Sequence, residues 1–363
     1  MKTSKFTIFL LPVIFVLALT TCTVQKIQEV EESPTNIILF IGDGMGIAQF
    51  TSAVSTSGAP LHIAEMPVIG LVKTSSSDNY VTDSAAGGTA ISSGVKTRNG
   101  MIGMDPDSTS VETIVEIANR NGLATGVLST SAVTHATPAS FVAHNISRNN
   151  YEAIAADFAN GKIDLFMGGG LNNFTKRKDG IDLTTILREK GYAIVTTADE
   201  LSKVTSGKVA GLFSESHMPY ASEGRPISLA VMTRKSIEIL SKNEKGFFLM
   251  VEGSMIDWAA HDGLTEGIIS ETLDMDEAVG EALAFAKTHD NTLVIVTSDH
   301  ETGGMALAGG SLKDRTVEAR YPTGEHTAVM VPVFSSGAGA DKFGGVMENT
   351  ELFERIIRAL GIK

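Results

Sequence analysis

A single cysteine in 363 residues, Cys22, rules out an internal disulfide, so stability has to come from core burial, bound metal or oligomerisation. The acidic balance, a formal charge of −13, excludes the broad basic surface that a nucleic-acid partner requires. Lys176-Arg177-Lys178 is the one local basic run and reads as a solvated loop. Internal repeats, low-complexity linkers and composition breaks are also missing from residues 35 to 363, which therefore read as one large domain. The apolar run from Phe6 to Leu19, preceded by Lys2 and Lys5, is too short to span a bilayer comfortably and reads as an export signal.

That signal ends in Leu-Thr-Thr-Cys, which resembles the lipid-attachment site of bacterial lipoproteins, although Thr21 stands where a smaller residue is usual. The expected layout is a signal peptide over 1–21, Cys22 as the first mature and lipid-bearing residue, a polar tether over 23–34 and the folded domain over 35–363. This layout implies export to the periplasm or cell envelope, with membrane contact only through Cys22. Loss of Lys2 and Lys5 takes the charge to −15, since residues 1–21 hold no acid.

What is present is an alternation of apolar, β-rich runs with helical patterns. Asn36–Ile41, Leu123–Ser129, Phe247–Glu252 and Thr292–Thr297 are nearly continuous in hydrophobicity, as strands buried on both faces are. Helices are expected from about Ser84, from Pro138 and from about Asp257. Ile163–Met167, ahead of Gly168-Gly169-Gly170, and Ala328–Phe334 would add strands, and 172–181, 203–226 and 303–325 read as surface excursions. The expected fold class is α/β: a three-layer, doubly wound, mainly parallel sheet.

In such sheets ligands bind beyond the carboxyl ends of the strands. Asp43, Glu252 and Asp299 each fall at a strand's end, and His135, Asp257, His261, His300 and His326 join them as hard and borderline metal ligands. Asp257 and His261 are four apart, so a helix sets them on one face. Asp83-Ser84 opens a small-residue helix whose free N–H groups suit a phosphate or an alkoxide, with an ordinary N-cap serine as the plain alternative. A hydroxyl nucleophile among metal ligands points to metal-assisted ester hydrolysis.

The blocks IGDGMG, VTDSAAGGTA, THATPASFVAHNISR, VEGSMIDWAAH, VTSDHETGG and GEHT, in that order, resemble the alkaline phosphatase family, its compact bacterial members in particular. The resemblance implies a phosphate-monoester hydrolase with broad, alkaline-favoured specificity and Ser84 as the residue that forms a phosphoserine intermediate. It implies one Zn²⁺ at Asp257, His261 and His326 and a second at Asp43, Asp299 and His300. A third ion, Mg²⁺ or Zn²⁺, would use Asp43, Glu252 and Thr137. Arg148 would grip two phosphate oxygens, with Asp83 orienting it. Small phosphomonoesters are the expected partners, together with a second copy of the chain as a homodimer.

Some positions depart from the family pattern. His135 stands near the third ion where some members have Asp, and a ring nitrogen there favours zinc over magnesium. Trp258 takes a place that is basic or imidazole in some relatives, and could stack on substrate or simply pack. Only 25 residues separate His300 from His326, so the family's surface insertion is expected to be small or absent. His62, His144, His217 and His289 lack a partner at metal spacing and are expected in structural or surface roles. A sulfatase is excluded because Ser84 is followed by Ala-Ala-Gly-Gly. A phosphodiesterase relative fits poorly because such enzymes usually carry Thr as nucleophile, and a non-catalytic binding lipoprotein has no need of Ser84.

Overall fold

A computed structural model describes residues 34–362. The expected signal over 1–21, Cys22 and all of the tether 23–34 except Pro34 lie outside the described residues. No helix among those described is long and apolar enough to cross a membrane.

The strands are β1 (Asn36–Gly42), β2 (Val68–Lys73), β3 (Ala124–Ala132), β4 (Leu165–Gly169), β5 (Tyr192–Val195), β6 (Lys208–Leu212), β7 (Phe247–Gly253) and β8 (Thr292–Thr297), then β9 (Glu301–Thr302), β10 (Ala306–Ser311), β11 (Thr316–Arg320), β12 (His326–Thr327), β13 (Val331–Gly337) and β14 (Gly345–Glu348). All but β9 to β12 join one ten-stranded sheet in the order β14-β2-β13-β8-β1-β7-β3-β4-β6-β5. Only β13 runs against its neighbours, so the sheet is mainly parallel, as expected.

β1 is the central case. All seven of its residues are buried, and they alternate between faces: Ile37, Leu39 and Ile41 enter one apolar cluster, Ile38 and Phe40 the other. Each face needs a helical cover, because a strand apolar on both sides cannot meet water on either. Helices Ile114–Arg120 and Asn349–Ala359 supply Ile114, Val115, Leu352 and Ile356 to the first cluster. Helices Leu229–Leu240 and Thr265–Ala286 supply Met232, Ile237, Ile268 and Met275 to the second.

The register sets the strand ends level. Ile41 lies opposite Glu252 of β7 and Thr297 of β8, and Glu252 in turn lies opposite Ser129 of β3. Four adjacent strands, β8-β1-β7-β3, therefore deliver their carboxyl-terminal residues to one edge.

Each of the six apolar runs contains a strand, but three expectations change. The helix expected from Pro138 is a single turn, Ala136–Ala139; the chain then leaves through turns, held by Ile102 and Asn145 exchanging backbone hydrogen bonds at 2.8 Å. The excursion 203–226 contains β6, a full member of the sheet. The stretch 303–325 holds a two-stranded hairpin, β10 and β11, in place of a larger insertion.

Candidate active site

Asp83, not Ser84, is the N-cap of helix Ser84–Ser93. Its Oδ1 accepts the Ala86 N–H at 3.0 Å, which leaves Ser84 as the first helical residue with its hydroxyl not spent on capping, at the end of the helix where partial positive charge gathers. All ten residues of the helix are buried. Small side chains make this possible: a Cβ on Gly88 would stand 2.4 Å from Ser140 Oγ.

Ser84 Oγ lies 3.2 Å from His300 Nε2. That nitrogen is also 3.4 Å from Asp43 Oδ1 and 3.3 Å from Asp299 Oδ2. The other Asp299 oxygen accepts from the backbone of His300 and Gly44, at 3.0 and 3.3 Å, which turns Oδ2 to the site. Asp43, Asp299 and His300 form one of three groups, among the described residues, whose ligand atoms lie within 4.8 Å of one another.

Asp257, His261 and His326 form the second group. His261 Nδ1 faces Gly324 O at 2.6 Å and His326 Nδ1 faces Thr82 O at 2.9 Å, so each Nδ1 carries a proton and donates it. The two Nε2 atoms then face each other at 3.1 Å, with Asp257 oxygens 3.3 and 3.6 Å away. Two lone pairs at that distance repel unless a positive charge sits between them, a proton or a metal ion. The hydrogen bond to Asp257 pushes His261 up to about 9, against the cost of burial. His300 stacks on His326 with centroids 3.6 Å apart, which joins this group to the first.

Asp43, His135 and Glu252 are the third group. Thr137 Oγ1 donates to Asp43 Oδ2 at 3.4 Å, and Ser129 Oγ to Glu252 Oε2 at 2.6 Å. Burial and the neighbouring Asp299, Asp257 and Glu252 charges raise Asp43 well above the carboxylate range. Burial, then Asp257 and Glu252, push Asp299 up to about 8. Burial takes Glu252 to about 7 despite hydrogen bonds from Ser129, Ser254 and Thr137. Burial and the Arg148 charge hold His135 near 3, so its ring is neutral.

Asp43 Oδ1, Asp299 Oδ2, Glu252 Oε1 and His135 Nδ1 are buried with no hydrogen-bond partner. Leaving polar atoms in that state is costly. Oxygen and nitrogen donors grouped this way suit Zn²⁺ or Mg²⁺, and bound cations would satisfy the orphaned atoms and offset the repulsion among the carboxylates. The residues fit metal ions.

Arg148 completes the site. Its Nη1 donates to Asp83 Oδ2 at 2.9 Å and its Nη2 lies 3.3 Å from His135 Nε2. Every residue expected in the site is thus brought to one edge. Sequence reasoning missed Ser129, Ser254 and Thr302, whose hydroxyls serve Glu252 and Asp257; a lone Ser or Thr has no spacing signature. Trp258 and His217 also border the site, with rings 4.6 Å apart.

His144 proves structural, as expected. It ties the segment carrying Arg148 to the domain: Nδ1 faces Gly103 O at 2.6 Å and Nε2 faces Glu116 Oε2 at 3.2 Å. The bond to Glu116 raises the His144 pKa, with Asp157 adding to it. Burial would raise Glu116, but His144, the Thr113 N–H and Lys162 bring it to about 2. A raised histidine pKa contributes stability that is complete below the unfolded value of 6.5 and is lost as pH rises through the folded value. His144→Gln should therefore melt about 2 °C lower than the parent at pH 6, taking about 1 kcal/mol for a partly buried pair. Scanning calorimetry across pH should show the gap shrinking as pH rises from 6 into the alkaline range; a gap that widens contradicts the assignment.

The family model for alkaline phosphatase matches residues 34–317. This chain belongs to the alkaline phosphatase family. It is 41% identical to alkaline phosphatase 4 of Bacillus subtilis over 77% of its length, although the match spans only 64% of that relative. Identity to the Escherichia coli alkaline phosphatase is 35%, over 90% of this chain and 86% of that one. The solved alkaline phosphatase of the Antarctic bacterium TAB5 superposes with a TM-score of 0.88 at 44% identity, covering 92% of this chain and 99% of the other. Variants of that enzyme with a His replaced by Glu or Asp have Mg bound in their M3 site. Membership makes this chain a metal-using phosphomonoester hydrolase. His326 lies beyond the matched segment, so its place here rests on the geometry.

Proposed function

We propose that Ser84 is the nucleophile of this alkaline phosphatase and that Arg148, oriented by Asp83, is its phosphate clamp. The observation that carries the reading is the setting of Ser84. Its hydroxyl stands at a helix N-terminus, 3.2 Å from a nitrogen that two buried carboxylates also approach.

Asp257, His261 and His326 would hold one Zn²⁺, and Asp43, Asp299 and His300 a second. Asp43, Glu252 and Thr137, with His135 beside them, would hold a third ion. The neutral His135 ring favours zinc there over magnesium. Bound ions supply charge that stabilises an ionised Ser84, the leaving oxygen and the phosphate.

Burial and mutual repulsion raise Asp43, Glu252 and Asp299 together, so the three would ionise fully only with cations among them. Ser84 Oγ attacks phosphorus, the bond to the leaving oxygen breaks, and phosphoserine remains. Water then attacks the same phosphorus and returns the hydroxyl to Ser84. Two inversions retain configuration at phosphorus.

The Arg148 fork suits a monoester, which offers two charged oxygens, better than a diester. Arg148→Ala should lower kcat/KM for p-nitrophenyl phosphate roughly a hundredfold, the scale of a lost charge-assisted pair. Hydrolysis of bis(p-nitrophenyl) phosphate should fall much less. Equal losses on both would remove Arg148 from the clamp. Release of phosphate should strengthen in alkaline solution; a rate peak below pH 6 would contradict this.

The apolar Phe6–Leu19 run and Cys22 support export to the periplasm or cell envelope and lipid anchoring; palmitate labelling of the parent and of Cys22→Ser checks this. A homodimer is the state the sequence resemblance implies, although the short span from His300 to His326 weakens any carry-over of the family's interface; sedimentation of the purified protein checks it.

A further inference from the structure

The loop 213–228 plays no part in the chemistry above, yet it reaches the site. His217 lies edge-on to Trp258, with centroids 4.6 Å apart at 72°, and edge-on to His135, 5.6 Å apart at 86°. Its Nδ1 accepts the Ala132 N–H at 3.1 Å, which sets the proton of the neutral ring on Nε2 and fixes the ring's orientation. Ala132 ends β3, three residues before His135. One strand end therefore meets His217 both through a hydrogen bond and through a ring.

Both ends of the loop are anchored. The Ser214 and Ser216 carbonyls accept the Gly170 N–H, at 3.0 and 2.6 Å. Gly169 must lack a side chain, since a Cβ there would stand 2.2 Å from Ser216 O, so the three-glycine end of β4 is what lets the loop lie so close. Further on, Arg225 is buried against Glu271 and Asp274 of helix Thr265–Ala286, at 2.6 and 2.5 Å. Its Nε also donates to Pro219 O at 3.1 Å. Breaking a buried set of this kind leaves a charge without its partner, which keeps the loop in one place.

The His135 ring lies between this loop and the clamp. Its Nδ1 has no partner within the protein, its Nε2 faces Arg148 Nη2 at 3.3 Å, and the edges of His217 and Trp258 meet its ring. We infer that His217 is a positioning residue for the phosphate clamp: it holds the His135 ring, and that ring steadies the arm of Arg148 that Asp83 does not. The inference rests on Arg148 being the clamp.

The test is titration calorimetry of inorganic phosphate into the metal-loaded protein, with His217→Ala and His135→Ala made singly and together. His217→Ala should weaken phosphate binding about tenfold in the parent and less than about twofold when His135 is already Ala, as expected when one residue acts through another. No weakening in the parent, or the same weakening in both backgrounds, overturns the inference. His217→Asn is the second variant, because its side-chain oxygen can still accept the Ala132 N–H while the ring is gone. The same tenfold loss is expected, and parental affinity overturns the inference. Arg148→Ala run alongside separates the two readings: unchanged phosphate binding there removes the clamp itself, whereas uncoupled His217 and His135 variants remove only the positioning role.

Discussion

Ser84→Ala should lower turnover of p-nitrophenyl phosphate by at least about a thousandfold, the scale on which removal of a covalent nucleophile acts. The variant keeps the three ligand groups and Arg148, so inhibition by phosphate should persist. Its melting temperature should hardly move, because the buried hydroxyl has His300 Nε2 as its hydrogen-bonding contact. Retained phosphate affinity with lost turnover is the pattern that sets a nucleophile apart from a structural serine. Equal, negligible rates in variant and parent would sink the enzyme reading, and equal high rates would sink Ser84 as the nucleophile.

Stripping the metals with a chelator should abolish turnover and lower the melting temperature by about 8 °C. That figure takes about 4 kcal/mol for ions present far above their dissociation constants and about 2 °C per kcal/mol for a domain of this size. The physical cause is crowding. Asp43, Asp299 and Glu252 are buried together with oxygens that nothing in the protein satisfies, and a cation offsets both the repulsion and the missing bonds. Zn²⁺ with Mg²⁺ should restore rate and stability together. A chelated protein with unchanged melting and rate would show that the three groups hold no ion.

Much of the fold was legible because six of the sheet's strands contain a near-continuous apolar run, the pattern that burial on both faces produces. β2, β5, β6 and β14 were not legible. β2 and β6 carry Gly70 and Gly211 inside short segments, and β5 and β14 span four residues each, too few for periodicity to register. The one-turn helix Ala136–Ala139 was overestimated because the small-residue pattern continues past the point where the chain turns away to carry Arg148. The acidic and histidine residues that gather at the site stand out in the sequence because Asp, Glu and His at or near strand ends are chemically conspicuous. Ser129, Ser254 and Thr302 were passed over because a hydroxyl that serves a ligand resembles any other.

His217 marks the boundary between the two kinds of information. In the sequence it is a histidine in an irregular stretch with no partner at useful spacing. The sheet order sets β4 beside β3 and β6 beside β4, glycines at the end of β4 let the loop lie close, and His217 arrives against His135, 82 positions earlier. The sequence alone determined the family, the strand-end chemistry and the choice of candidate metal donors, since those depend on residue type and local spacing. Tertiary structure decided how closely the candidate donors gather into three groups, that Asp83 caps the helix ahead of Ser84, and what stands behind Arg148. Those depend on distances between strands that are remote in the chain, and only packing sets them.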